Sequence, residues 1–449
     1  MTNQNVESVV DNHLCLGCGT CVAVCPHAAI SMVETLGGLL VAKVNESNCN
    51  HCGLCVSLCP GIHLDGSLLS PRSDPFRGNV VAAYIGQATD ERILRNSTSG
   101  GIATSLISNL LDEGQIDAAL VTEIPNDGSL HPKCVITSDK EEIYRAQGSK
   151  YCPVPLNAVM LENISKQHRR IAIVGLPCHV HGLRNFQCRS EEPVEAEPLV
   201  IGLACGRTLS YLVVDHFIVE SREARENIVG FHYRSKGWRG WPGDVALQIY
   251  SGDIQYLSRK FRYELKEIYC PLGCRLCFDK MNVLSDVVLG DPFGIQEDKK
   301  GYSYILARTV RGNEALLSAR DAGVLRLQAI DAVSIFDAQH VEKRRLDWTV
   351  FTSIWKNVGG LIPDFHINKR WHADTKGIDF KPYRQRIQQS LKLARAQSSS
   401  KVMKSAKRKV WLHRLKTLEI LKTPARRLKG LLQGKALEKR NRYVEKLVD

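Results

Sequence analysis

The chain has 449 residues, 60 Lys and Arg against 47 Asp and Glu for a net charge of +13, 44% hydrophobic residues and 16 cysteines. That length supports two or three domains with packed cores. So many cysteines, with no apolar leader-like stretch at the start and no apolar run of about 18 residues, read as a reduced cytoplasmic protein and argue against a secreted disulfide scaffold or a membrane-spanning one.

Residues 15 to 26 read CLGCGTCVAVCP and residues 49 to 60 read CNHCGLCVSLCP. Both follow C-x2-C-x2-C-x3-C-P, the spacing of a bacterial two-cluster ferredoxin, in which three thiolates of a tight loop take one cubane and the fourth reaches across to the other. The expectation is two [4Fe-4S] clusters with crossed ligands: Cys15, Cys18, Cys21 and Cys59 for one, Cys49, Cys52, Cys55 and Cys25 for the other. Gly17, Gly19 and Gly53 suit backbone that wraps a cluster closely at positive φ. Zinc knuckles would show two separated C-x2-C pairs instead. This ferredoxin-like domain runs over 1–70, with GGLLVAKV as a hairpin strand between its halves and SLLSPRSDPFRGN as an exit linker.

A mixed α/β body follows, from about residue 75 to about 370. GIATSLISNLLDEG predicts a helix with Ser99 near its start and Gly114 as its stop, and IDAALVTEI predicts an apolar strand. RRIAIVGLPC and PLVIGLACG predict buried strands that end in Gly and Cys, and strand tips of that kind are where α/β sheets place ligands.

Three features of the body carry chemistry. NSTSGG, Asn96 to Gly101, opens a helix with hydroxyls and paired glycines, a seat for a phosphate or a plain N-cap by Ser97 or Ser99. QGSKYC, Gln147 to Cys152, places Lys150 after a glycine turn, either to pair with a phosphate or an anionic flavin ring or as an ordinary loop lysine. Cys270, Cys274 and Cys277 in CPLGCRLC, with Cys178 and Cys205 at strand tips, suggest a third [4Fe-4S] site from Cys178, Cys205, Cys274 and Cys277, with Cys270 as the substitute. Cys134, Cys152 and Cys188 read as buried small residues or surface thiols. His179 and His181 stand beside Cys178 as candidate proton donors or as satisfied structural histidines. The spacing Cys270-x3-Cys274-x2-Cys277 is also that of radical S-adenosylmethionine enzymes, but it comes late in the chain, and SDVVLGDPFG follows it in place of a glycine-rich cosubstrate segment.

From residue 381 onward the chain holds 21 Lys and Arg against 4 Asp and Glu, so the basicity belongs to the tail and the rest is net acidic. Trp411, Leu415, Leu418, Leu421, Leu428 and Leu432 recur at helical intervals, with Thr423-Pro424 marking a restart. A basic amphipathic helix can lie on an anionic membrane surface, dock on an acidic protein partner, or pack on its own body. No nucleic-acid-binding motif accompanies the charge.

STSGG, QGSKY, GLPC, IGLACG, GCRLC with Asp279 two residues on, and SDVVLGDPFG occur in this order, and the region 78 to 330 resembles the family of the coenzyme F-420 hydrogenase/dehydrogenase beta subunit. The resemblance implies an N-terminal-like domain over 75–165, a C-terminal-like domain over 166–375 and a basic helical tail over 381–449, behind a fused ferredoxin domain. It further implies an iron-sulfur flavoprotein that binds FAD, with Ser97, Thr98, Ser99, Gly100, Gly101, Gly148, Ser149, Lys150 and Tyr151 as flavin contacts and His179 and His181 beside the redox centre. Departures are the extra Cys270 thiol, GDPFG where a Trp is often seen, and the tail. The expected function is an oxidoreductase that moves electrons between a ferredoxin or F-420 carrier, internal clusters, FAD and a small organic substrate. The alternative is an electron-transfer subunit without a substrate of its own. Its expected location is the cytoplasm, with peripheral inner-membrane attachment through the tail.

Overall fold

A computed structural model describes residues 5–125, 128–167, 170–189 and 197–411. The first module pairs β1 (Ile30–Glu34) with β2 (Leu40–Val44) as an antiparallel hairpin, in register from Ile30 opposite Val44 to Glu34 opposite Leu40. Each cysteine loop runs into one short helical turn, Thr20–Ala23 or Leu54–Ser57, entered through Gly19 or Gly53 at φ 82° and 78°. Only a residue without a Cβ takes that conformation at little cost.

The body is built on one eight-stranded sheet. In chain order its strands are β3 (Ala82–Ala88), β4 (Ala118–Glu123), β5 (Lys133–Thr137), β6 (Ile171–Gly175), β7 (Leu199–Leu203), β11 (Val287–Gly290), β12 (Ser303–Ala307) and β13 (Leu325–Ala329). Between them β8 (Ile228–Ser235), β9 (Asp244–Ile249) and β10 (Ile254–Leu257) form a separate antiparallel sheet. The spatial order of the large sheet is β13-β3-β12-β11-β7-β6-β4-β5. Its centre, β4, β6, β7 and β11, is parallel, and antiparallel strands complete both edges. Segments on both sides of residue 165 therefore share a single sheet.

Strands β6, β7 and β11 are apolar along their whole length, and β4 as far as Val121, because both faces are covered: Ala172, Ile173, Val200, Ile201, Val287 and Val288 are at most 1% exposed. The helix Ile102–Asp112 packs on one face with Leu106, Ile107 and Leu110. Pro177–Arg189 and Leu156–Gln167 cover the other with Val180, Leu183, Leu156 and Met160.

The first module is fused to this body by close contact. A Cβ on Gly182, in the helix Pro177–Arg189, would stand 2.2 Å from Thr20 Oγ1 and 2.4 Å from Asn157 Nδ2, so the two segments touch only because that side chain is missing. Asn157 Nδ2 donates to Thr20 Oγ1 at 2.8 Å and to the His179 carbonyl at 3.0 Å, and Asn185 Nδ2 donates to the His63 carbonyl at 3.0 Å.

The start of the basic tail is docked. Helix Lys381–Ala394 buries Ile387, Ser390 and Leu393, and Ala406 and Val410 of the helical stretch that follows sit in the core around Leu212 and Tyr269. Trp411 is 60% exposed, while Leu415, Leu418, Leu421, Leu428, Leu432 and Thr423-Pro424 lie outside the described residues. Among the described residues, no helix is long and apolar enough to cross a membrane.

Candidate functional site: three thiol groups and a cavity at the strand ends

The buried thiols influence one another within and across the two motifs. Burial raises the Cys21 thiol well above its ordinary value, and Cys15, Cys18, Cys59 and Cys55 raise it further. Burial likewise raises Cys59, helped by Cys18, Cys15 and Cys55. Burial raises Cys55, with added repulsion from Cys52, Cys49 and Cys25. The fourth cysteine of each motif thus stands among the first three of the other. Hydrogen bonds reach these sulfurs as well: Thr20 Oγ1 lies 3.3 Å from Cys18 Sγ, the Ala29 amide donates to Cys25 Sγ at 3.3 Å, and Asn5 Nδ2 donates to Cys49 Sγ at 4.0 Å.

In the body, Cys178 follows β6 and Cys205 follows β7, while Cys274 and Cys277 belong to the turn of helix Leu272–Leu276. Burial pushes the Cys178 thiol well up, and the thiols that raise it further are Cys18, Cys205, Cys274 and Cys277. Cys270 is 1% exposed, bonds its Sγ to the Pro271 carbonyl at 3.3 Å and stands behind Cys274. Cys18 among the neighbours of Cys178 brings the first module's thiols up to those of the body. At the opposite end Cys52 is exposed. Cys134 is half-buried, Cys152 buried and Cys188 exposed.

A cavity of about 260 Å³ opens where β4, β6, β7 and β11 end, lined by Val121, Gly175, Leu203, Cys205 and Gly290 among others. Pockets for small ligands usually measure about 300–1,000 Å³, and the parallel strand ends are the position the sheet topology favours. Both expected loops reach the wall: Ser97, Thr98, Ser99 and Gly101 from one, Gly148, Ser149, Lys150 and Tyr151 from the other. A bond from the Ser149 amide to Thr98 Oγ1 at 2.8 Å ties them together.

The hydroxyls do not cap the next helix as one reading of the sequence expects. Gly101 at φ 76° is the N-cap of Ile102–Asp112, without a side-chain bond. Ser97 Oγ donates instead to the Leu94 and Ser99 carbonyls, at 3.0 and 2.8 Å, and Ser99 Oγ donates to Asp291. The Gly100 amide donates to Ser303 Oγ at 3.0 Å. Lys150 is half-buried with its Nζ on the Ala146 and Gln147 carbonyls, and desolvation lowers its pKa to about 7 against a weaker opposing pull from Glu123.

The histidines part company. His179 lines the cavity, yet its Nδ1 accepts from the Leu176 amide at 3.1 Å and its Nε2 bonds the Val154 carbonyl at 3.0 Å. Burial lowers its pKa to about 4, so the ring is neutral and both nitrogens are engaged. His181 is 2% exposed and anchored to Asp279 at 2.9 Å, stacked on Phe278 with a ring separation of 5.5 Å. The geometry gives both rings structural partners.

Residues that motif spacing did not single out complete the wall. Arg234 grips Asp291 with two bonds, 2.6 and 2.8 Å, and Trp241 Nε1 donates to the same carboxylate at 3.0 Å. Burial opposes ionisation of Asp291, but Arg234, Ser99 and Trp241 hold its pKa below the ordinary carboxylate value. Lys236 ties the Leu94, Ser99 and Lys300 carbonyls together. These residues come from β8, the turn after it and the end of β11, distant in sequence from the loops they serve. The only advance signal is Asp291 inside SDVVLGDPFG.

Fold and thiol groups define a cysteine-rich, ferredoxin-like module docked on an α/β sheet whose parallel strand ends border a cavity. The chain belongs to the family of the coenzyme F420 hydrogenase/dehydrogenase beta subunit: the model of that protein's N-terminal region matches residues 83–160 and that of its C terminus matches residues 168–333, together more than half of the chain. A 4Fe-4S dicluster domain matches residues 14–61. One of the F(420)H(2) dehydrogenase subunits of Methanosarcina mazei is 26% identical over 321 residues, 70% of this chain and 85% of that one. The beta subunit of coenzyme F420 hydrogenase of Methanothermobacter thermautotrophicus is 28% identical over 254 residues, 55% of this chain and 84% of that one. Coenzyme F420-dependent sulfite reductase of Methanocaldococcus jannaschii is 24% identical, but the match spans 47% of its length. A chain of the F420-reducing [NiFe] hydrogenase complex from Methanosarcina barkeri shares the fold, with a TM-score of 0.50 at 22% identity over 64% of this chain and 97% of that one.

Proposed function

We propose that the protein is an iron-sulfur flavoprotein oxidoreductase that links a ferredoxin or F-420 type carrier to FAD held in the cavity. Three [4Fe-4S] clusters would be held by Cys15, Cys18, Cys21 and Cys59, by Cys49, Cys52, Cys55 and Cys25, and by Cys178, Cys205, Cys274 and Cys277. The observation that carries this reading is the continuity of thiols, from exposed Cys52 through Cys55 and Cys21 to Cys18, across to Cys178, and on to Cys205 in the cavity wall.

The cavity residues suit the flavin. Gln147 Oε1 is a buried acceptor without a partner, and a Cβ on Gly206 would meet nothing within 4 Å, so the wall retains an unused polar atom and open space. Bound there, FAD supplies the exchange between a hydride's electron pair and the single electrons that cubanes carry. The chain's own part is to bind and to exclude water. Lys150, whose pKa lies at about 7, and Arg207, paired with Glu267, stand on the wall where a phosphate would lie, the Thr98–Ser149 bond fixes the two loops, and Arg234 with Asp291 braces them. A small organic substrate or F-420 would take the hydride.

A second reading, an electron-transfer subunit that exchanges hydride with F-420 on behalf of a partner enzyme, is favoured by the relatives named as subunits. The tail would then meet an acidic protein partner or an anionic membrane surface.

Anaerobic purification with iron, sulfide and flavin counts, followed by reduction with reduced F-420 and with reduced ferredoxin, tests these readings. About twelve irons and one FAD per chain are expected. About eight irons would remove the body cluster, a flavin-free preparation would remove the flavin, and activity appearing only with an added partner would select the second reading.

A further inference from the structure

We propose that Arg344 raises the reduction potential of the body cluster, so that an electron passed from the first module is held beside the cavity. The proposal rests on the reading that Cys178, Cys205, Cys274 and Cys277 hold a cubane.

Arg344 lies in the first turn of helix Val341–Asn357, far in sequence from every thiol. Its guanidinium donates to the Cys277 carbonyl and to the Cys205 carbonyl, each at 3.2 Å, and to the Gly206 carbonyl. One cation thereby bridges two loops that carry thiols of the same group.

Other cations near the body thiols share a carboxylate or turn away: Glu267 faces Arg207 at 2.6 Å, Arg275 at 2.9 Å and Arg386 at 3.5 Å, and Lys280 turns its ammonium to the Gln339 carbonyl. Among the described residues no carboxylate forms an ion pair with Arg344. A four-thiolate cubane gains one negative charge on reduction, so a fixed, unneutralised cation beside it stabilises the reduced form. Each transfer moves one electron: a ferredoxin cubane is oxidised, the body cubane is reduced, no bond forms or breaks and no proton is required. The cation thus favours the electron on the body cubane, beside the cavity.

The test is a redox titration of the anaerobic full-length protein followed by electron paramagnetic resonance, for the natural chain, Arg344→Gln and Arg344→Lys. Arg344→Gln should make the body cluster at least tenfold harder to reduce, about 59 mV more negative for one electron, with the two ferredoxin midpoints unmoved. Arg344→Lys, which keeps the charge, should hold most of the natural potential. An unmoved body midpoint in Arg344→Gln at about twelve irons, an equal shift of all three clusters, or loss of about four irons in both variants would overturn the proposal. About eight irons in the natural chain would instead overturn the ligand reading, and this proposal with it.

Discussion

Gly182→Ala probes the joint between the first module and the body. The new methyl would stand 2.2 Å from Thr20 Oγ1 and 2.4 Å from Asn157 Nδ2, both side chains at most 1% exposed and bonded to each other at 2.8 Å. One must move. Overpacking a filled core costs about 1–3 kcal/mol, and stranding a buried polar partner adds about 1–3 kcal/mol. Alanine in place of glycine inside a helix returns about 1 kcal/mol, so a net loss of about 1–5 kcal/mol is expected. The displacement falls between Cys18, whose sulfur Thr20 contacts, and Cys178, four residues before Gly182. Guanidinium unfolding should therefore show the stability loss, and stopped-flow reduction of the flavin by reduced ferredoxin should slow more than direct reduction by dithionite. A variant as stable as the natural protein, with both rates unchanged, would refute the idea that this contact couples the two parts.

Asp291→Asn leaves Arg234 buried without its countercharge and should cost about 3–5 kcal/mol, read by thermal unfolding, with faster flavin loss on dilution. Because the Asp291 pKa lies below its unfolded value, the stability it contributes is present above the ordinary carboxylate range and lost as pH falls through the depressed value; acid unfolding of Asp291→Asn should lack that component, which in the natural chain declines only below about pH 4. Cys274→Ser should drop bound iron from about twelve to about eight per chain while the ferredoxin signals persist. Removing residues 412–449 spares the docked Ala406 and Val410 and should leave the unfolding midpoint unchanged while abolishing sedimentation with anionic vesicles; sedimentation that survives would end the surface-helix reading.

The sequence by itself determined the local chemistry. Eight thiols at fixed short spacings mark a 4Fe-4S dicluster domain, because a ligand loop is a local object whose reach is set by a few residues. The strands ending at Gly175 and Leu203 were legible as continuous apolar runs, since burial on both faces leaves no alternation. Tertiary structure alone decided what stands opposite what. It brought Cys178 to Cys18, placed β3 between β12 and β13, engaged His179 and His181 with structural partners, and carried Arg234 to Asp291 and Arg344 to the loops of Cys205 and Cys277. Several of those contacts join distant positions: Arg234 and Asp291 are 57 residues apart, and Arg344 and Cys205 are 139 apart. No periodicity links such positions, because the pairing is fixed by sheet order and by which side chains remain uncompensated once the core has closed.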